Sequence, residues 1–344
     1  MSNRASILMI NMAKGFGGGE FQTEQLMLEL VANYDIYFLG KRSGKLIQKV
    51  KEEMPQLHTV TIWQAIKLVL TKKNLIIHSQ DGRGAHIAHF LKKISKKPTV
   101  VTRLVSASFR RKFSSSSYKS ADYIVGVSQL MTKNLQQLNP NCETIYCCTR
   151  PTLPEDSEFE RQYFSDKKTL TIAQIANLQP VKNVTLTIEL AKLFPQITFY
   201  IVGSGTAEQE NKLKEQAQNN PNIIFIPFTP YVGSILKNID LHLMPSHLEG
   251  LPTVILEGYQ YHLPTLAHAT GGIPEIIENE KTGFLVYDNK VESYQAILEQ
   301  LLNSPERLVE LRENIKQYLT EKDFSAKRMA MEYHNIYQKL LKQA

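Results

Sequence analysis

At 344 residues the chain exceeds the comfortable size of a single hydrophobic core, and 42% hydrophobic with 21% charged residues excludes a disordered or fibrous protein. No stretch approaches the roughly 20 apolar residues needed to span a bilayer, and the apolar run in MSNRASILMINMAKGF is too short for a signal peptide; a cytoplasmic protein of two domains is expected. The net charge of +7 is uneven, about ten positive over residues 1–165 and about three negative beyond, with no acidic residue between Gly82 and Ala121. That stretch holds Arg83, Lys92, Lys93, Lys96, Lys97, Arg103, Arg110, Arg111, Lys112 and Lys119, either a solvated helical face or a surface for an anionic partner.

In chain order, runs rich in β-branched residues alternate with amphipathic segments. SILMIN, DIYFLG, HTVTI, NLIIHS, PTVVTRL, DYIVGVS and ETIYC form a first series of strands, the βα pattern of a parallel sheet. The segment KGFGGGEF follows the first strand directly. Its glycines allow close backbone approach to a phosphate or sugar at a helix N-terminus, yet it fits neither the G-x-G-x-x-G nor the Walker pattern. Cys142, Cys147 and Cys148 lack metal-site spacing and read as reduced and structural, with Cys147 and Cys148 facing opposite sides of a strand.

The polar stretch PTLPEDSEFERQYFSDKK reads as a linker. After it comes a second strand series, LTIAQIA, ITFYIVG, NIIFIPF, DLHLMPS, LPTLAH and GFLVY, again separated by helical segments. A long terminal helix is expected over FSAKRMAMEYHNIYQKLLKQA. The domain expectation is therefore 1–165 and 166–323, with the terminal helix over 324–344 beyond them. Such sheets bind ligands beyond the carboxyl ends of their strands, where KGFGGGE, SQDGRG, ANLQPVKN, GSGTAEQE and SHLEGLPT all fall.

In PSHLEGLPTVILEGYQYHLPTLAHATGGIPEII, a helix starting near Leu251 or Pro252 places Glu249 before its first turn and Glu257 about a turn and a half in. The amides of Gly250, Leu251 and Thr253 would then face an anion such as a diphosphate. By themselves, two glutamates at this spacing are common in helices.

The whole block resembles the signature of the retaining glycosyltransferases of the GT-B fold, glycosyltransferase family 4, in which E-G-x-x-x-x-x-x-E precedes a glycine loop and a Pro-Glu-Ile-Ile segment. IANLQPVKN is similar to the family's phosphate-binding turn, IVGSGTAEQE to its Gly-x-Gly turn, and GGGE to its N-terminal glycine loop. The fold implied is α/β, two Rossmann-like doubly wound parallel-sheet domains facing a cleft, and the resemblance also implies that the last helix, 324–344, returns to the first domain. The resemblance further implies that Glu257 binds ribose hydroxyls, that Glu249 lies beside the transferred sugar, and that Lys182 holds the diphosphate leaving group. Gly203 and Gly205 would admit the nucleotide, and Gly18 and Gly19 would approach it from the first domain. Pro252 and Asn177 complete the implied donor set, Asn177 standing where many members carry arginine. Leu104, beside Arg103, stands near the family's usual histidine, so His78 and Asp81 are the substitute candidates for a general base.

No Asp-x-Asp pair occurs, so neither a metal nor any other cofactor is expected. The implied activity is transfer of a hexose-type sugar, with a UDP-sugar as the expected donor, to a bacterial surface glycan or glycolipid such as lipopolysaccharide. The basic face would meet the acceptor or the cytoplasmic face of an anionic membrane. The alternative is a non-catalytic basic binding module of the same fold. Nucleic acid is not expected, because Phe90, Phe109, Phe113 and Tyr118 are the only aromatics interleaved with the basic stretch.

Overall fold

The computed structural model describes residues 4–104, 112–165 and 170–343. Two compact units result, one formed by Met1–Cys148 with Phe324–Ala344 and the other by Thr149–Asp323.

The first unit carries β1 (Ser6–Asn11), β2 (Asp35–Gly40), β3 (His58–Thr59), β4 (Leu75–Ser79), β5 (Thr99–Arg103), β6 (Tyr123–Gly126) and β7 (Cys142–Thr144). They form one sheet in the order β3-β2-β1-β4-β5-β6-β7, every pair parallel. β1 and β4 are buried along their whole length, which is why they read as continuous apolar runs rather than alternating ones. The helices are α1 (Gly18–Leu30), α2 (Lys45–Glu53), α3 (Ile62–Thr71), α4 (Gly82–Ser95), α5 (Lys112–Lys119) and α6 (Gln129–Gln136).

The second unit holds α7 (Ser157–Phe164), β8 (Thr171–Ile175), α8 (Val184–Leu193), β9 (Thr198–Val202), α9 (Ala207–Gln216), β10 (Ile223–Ile226), α10 (Val232–Asn238) and β11 (Leu241–Met244). α11 (Thr253–Tyr259), β12 (Thr265–His268), β13 (Gly283–Val286), α12 (Val291–Asn303) and α13 (Glu306–Glu321) follow. Its sheet, β10-β9-β8-β11-β12-β13, is also wholly parallel. The α/β class and the two Rossmann-like sheets agree with the sequence expectation.

Each sheet is covered on both faces. In the first unit Leu26 and Met27 of α1 and Leu46 and Val50 of α2 share a core with the last helix, α14 (Ala326–Gln343), through Met329, Tyr333, Ile336 and Tyr337. The opposite face is closed by Ala65 and Val69 of α3 and Ala88 and Leu91 of α4. Tyr34 also ties α14 down, pairing with His334 at 2.9 Å and accepting from Gln338 at 3.1 Å.

Two expectations need correction. The stretch expected as a linker is not one, and the division falls after Cys148 rather than after residue 165. Leu153, Phe159, Tyr163 and Phe164 pack with Tyr200, Ile235 and Leu236 in the second unit, because the apolar side of α7 outweighs its acidic, linker-like surface. The three cysteines are free and buried as expected. However, β7 ends at Thr144, so Cys147 and Cys148 lie beyond the strand. Burial pushes the Cys142 and Cys147 thiols up to about 12, which keeps them protonated and unreactive.

Candidate functional site

In the second unit the strand order reverses between β8 and β11. Loops leaving the carboxyl ends of two such strands diverge to opposite faces and open a crevice, the usual ligand site of a doubly wound sheet. Lys182 leaves β8 and Glu249 leaves β11.

The β8 loop makes one short 3-10 turn, Pro180–Lys182, and enters α8 through Asn183 in the left-handed region (φ 52°). Gln174 of β8 donates to the Lys182 carbonyl at 2.6 Å and accepts from Thr187 at 2.6 Å, fixing the turn to its own strand and helix. The His247 amide donates to the Val181 carbonyl at 2.8 Å, stitching the β11 loop to the turn. These ties bring Lys182 Nζ to 2.6 Å from Glu249 Oε1. Glu249 is 8% exposed, so a mostly buried carboxylate sits directly against a cation.

The Glu249 loop is backed by the turn after β12. Gly271 has φ +59°, and a Cβ there would lie 2.0 Å from the Glu249 carbonyl oxygen. The Gly272 amide donates to the Gly250 carbonyl at 2.7 Å. Gly271→Ala is therefore expected to displace Glu249 as well as destabilise the fold by at least the ~1–3 kcal/mol of a strained backbone conformation. Urea denaturation beside a nucleotide-binding measurement checks both parts; an unchanged midpoint and unchanged affinity would contradict them.

Glu257 lies inside α11, 5% exposed, with Arg150 Nη1 3.2 Å from its Oε1. Gln260, at the end of the same helix, donates to the Arg150 carbonyl at 2.7 Å. Burial raises the Glu257 carboxyl above its ordinary range, and the Arg150 guanidinium opposes that rise. Sequence reasoning missed Arg150. It belongs to no motif, and nothing local marks a residue so far along the chain from its partner.

The remaining donor candidates surround these two pairs unevenly. Gly203 has φ +139°, and a Cβ would lie 1.8 Å from the Ala176 carbonyl oxygen, so only glycine lets the β9 loop lie on the β8 loop. The Leu178 amide donates to the Ser204 carbonyl at 3.1 Å across the same contact. The Gly205 amide is occupied by Glu210 at 2.9 Å, and Asn177 is exposed on the β8 loop. α11 begins at Thr253 with Pro252 as its extended N-cap, so proline stands one place earlier than expected. Leu251 and Pro252 are buried, and Gly250 precedes the helix, its carbonyl occupied by Gly272.

In the first unit the structure removes both candidate bases. His78 is wholly buried; its Nδ1 meets Tyr337 Oη at 2.5 Å and its Nε2 meets Thr102 Oγ1 at 2.8 Å. Burial pushes it down to about 3. Period-two alternation explains the placement, since Ile76 and His78 share the sheet face covered by α14. Asp81 is the N-cap of α4, its carboxylate accepting from the amides of Met12 (2.9 Å), Gly84 (3.0 Å) and Arg83 (3.2 Å). Its acceptor capacity is spent on backbone.

Gly18 opens α1 at an exposed N-terminus with nothing within 4 Å of an added Cβ, while Gly19 abuts Leu104. Glu20 accepts from the Gly17 amide at 2.9 Å. On the basic face, Lys92 is engaged by Asp122 and the Ser120 carbonyl, each at 2.7 Å, and Lys97 donates to the Lys73 carbonyl at 2.8 Å. Lys93 and Lys96 are exposed. Arg103 lies over the Tyr118 ring, 5.4 Å from its centroid. Arg110 and Arg111 lie outside the described residues, and Lys112 begins α5. Among the described residues no three His, Cys, Asp or Glu side chains gather as a metal-ligand set.

Residues 155–321 match the family of glycosyl transferases group 1. An uncharacterized glycosyltransferase of Haemophilus influenzae is 31% identical over 151 residues, 43% of this chain and 42% of that protein, so the chain spans less than half of this relative. The Escherichia coli UDP-Gal:alpha-D-GlcNAc-diphosphoundecaprenol alpha-1,3-galactosyltransferase is 23% identical over 322 residues, covering 77% of this chain and 80% of that one. In structure, Anabaena HepE in complex with UDP and glucose superposes with a TM-score of 0.84 at 15% identity, over 97% of this chain and 100% of the other. Residues 155–321, which carry Lys182, Glu249 and Glu257, thus match the glycosyl transferases group 1 family, on a chain of GT-B fold.

Proposed function

We propose that the chain is a retaining, metal-independent glycosyltransferase that moves a hexose-type sugar from a UDP-sugar to a glycan or glycolipid of the bacterial surface, such as lipopolysaccharide. The observation that carries this reading is the contact of Lys182 with the buried Glu249 at the reversal of the second sheet, with Glu257 nearby in sequence on α11. Glu257 accepts from the ribose hydroxyls, a role that requires its ionised form. Lys182 supplies a point charge to the diphosphate as the sugar–oxygen bond breaks, and Glu249 faces the carbon on which positive charge develops. Both contributions grow on the way to the transition state, which is what raises turnover.

With His78 and Asp81 engaged by the fold, the acceptor hydroxyl's proton is assigned to the departing diphosphate oxygen. The new bond then forms between the acceptor oxygen and the anomeric carbon, and the proton leaves with UDP. A UDP-binding structural neighbour and a relative that acts on a diphosphoundecaprenol-linked sugar support the donor and acceptor classes. A lipid-linked acceptor in turn supports work at the cytoplasmic membrane face.

The test is a thermal-shift panel of UDP, GDP, ADP and their common sugars, followed by transfer to a lipid-linked or short glycan acceptor in the presence of EDTA. UDP at 100 times its Kd should add about 2.7 kcal/mol of stability. Proton NMR of the product should show the donor's anomeric configuration. Activity that EDTA abolishes and magnesium restores, or an inverted anomer, would overturn the respective part; neither binding nor turnover with any nucleotide sugar would favour the non-catalytic module.

A further inference from the structure

α3 and α4 lie side by side over one face of the first sheet, their inner residues Ala65, Val69, Ala88 and Leu91 sharing one core. Their outer sides are unusual for a water-soluble surface. On α3, Trp63 is 78% exposed and Leu70 is 60% exposed, seven residues apart and hence on one stripe, with exposed Lys67 between them. On α4, Phe90 is 50% exposed and Ile94 is 41% exposed, one turn apart, with exposed Lys93 beside them. Lys97 donates to the Lys73 carbonyl, so the carboxyl ends of both helices come together, with Lys73 exposed there.

From Met54 to Ala121 the chain has one acidic residue, Asp81, and that carboxylate is turned onto the backbone at the start of α4. The carboxylates that reach these helices from elsewhere are already paired, Asp122 with Lys92 and Asp35 with Lys72, so the face presents aromatic and aliphatic side chains among cations in excess. A second copy of the chain would oppose lysine to lysine there. Large exposed apolar groups rimmed by cations match one kind of partner well, a bilayer whose headgroups are anionic and whose interface receives tryptophan.

We infer that the outer face of α3 and α4 is the membrane-docking surface of this protein, with Trp63, Leu70, Phe90 and Ile94 entering the headgroup region of an anionic bilayer and Lys67, Lys73 and Lys93 engaging lipid phosphates. This rests on the peripheral-membrane part of the proposed function and names the surface that makes the contact. It also moves the apolar contribution to α3, a helix the charge run alone does not include. Leu91, which sequence spacing groups with that run, is buried and takes no part.

Trp63 is the only tryptophan in the chain, so emission excited selectively at tryptophan reports this face alone. The full-length protein is titrated with vesicles of phosphatidylglycerol and phosphatidylcholine, and with phosphatidylcholine alone, at low and at physiological salt. Emission is expected to shift to shorter wavelength, and to be quenched by acyl-brominated lipid, with the anionic vesicles and more weakly as salt rises. The combined substitution Trp63→Ser, Leu70→Ser, Phe90→Ser and Ile94→Ser should lower co-sedimentation with anionic vesicles by at least about tenfold. Its UDP-induced thermal shift should match that of wild type, showing that both protein and donor site remain intact.

Vesicle binding by wild type with unmoved Trp63 emission, or binding retained in the fourfold variant, would overturn the inference while leaving the membrane reading standing. Failure of wild type to bind anionic vesicles at low salt would remove the membrane reading and the inference together. Concentration-dependent dimerisation that shifts Trp63 emission without vesicles would assign the face to a second copy and overturn it too.

Discussion

Replacing Lys182 with alanine is expected to lower kcat by about 10²–10³-fold, the scale seen when one preorganised group facing developing charge is removed. Two consequences of the same contact predict this size. The diphosphate loses a cation held by backbone ties at 2.6 and 2.8 Å rather than one free to swing in from solvent. In addition, Glu249 keeps its buried carboxylate with its lysine gone. Glu249→Gln should keep donor binding and lose turnover, because a neutral amide still fits the loop but cannot face positive charge. The pair acts as a unit, so Lys182→Ala with Glu249→Gln should lose far less than the product of the single losses. Single-turnover measurement at saturating donor decides it: a Lys182→Ala rate within about twofold of wild type would take the lysine out of the reaction.

Glu257→Ala should weaken UDP binding by about 1–3 kcal/mol, the range for a hydrogen-bonded charged group, with the fold retained. The more telling variant is Arg150→Ala. Burial already raises the Glu257 carboxyl, and without the guanidinium nothing named in its surroundings opposes the rise. As pH falls, the variant should therefore lose UDP affinity at a higher pH than wild type does. Stability should follow the opposite course. A carboxyl whose folded-state pKa lies above its unfolded value binds more protons when folded, so its contribution is fully present below the unfolded value and is lost as pH rises on through the folded one. The destabilisation by Arg150→Ala should accordingly be larger at neutral pH than near pH 4, and Glu257→Gln should abolish the difference. Calorimetry with UDP from about pH 4 to pH 8, beside urea melts at the same values, tests both signs. If Glu257→Ala leaves UDP affinity unchanged, Glu257 does not hold ribose; a weakened Glu257→Ala with an unshifted Arg150→Ala profile would leave the ribose role and remove only the arginine's.

The sheets were legible in the amino-acid order because strands buried on both faces must be nearly all apolar: each of the runs from SILMIN to GFLVY overlaps a strand, and β1, β4, β11 and β13 are buried throughout. The loops bearing Lys182, Gly203 and Glu249 were legible too, since polar and glycine-rich segments after parallel strands fall at one edge of a doubly wound sheet. Local pattern ended there. That Lys182 touches Glu249 follows from β8 and β11 being neighbours, a pairing of strands 66 residues or more apart that no window of sequence contains. His78 stands in a strand whose alternation is readable, but only the return of α14 onto that face made it a buried, doubly bonded ring instead of a base at a strand end. Asp81 was ambiguous for the same reason: a carboxylate after a strand serves either a ligand or the next helix, and the distances to Met12 and Gly84 chose the helix. Arg150 needed the structure altogether, because the partner of a buried charge is set by what packs around it, and tertiary contacts join residues without regard to their distance along the chain.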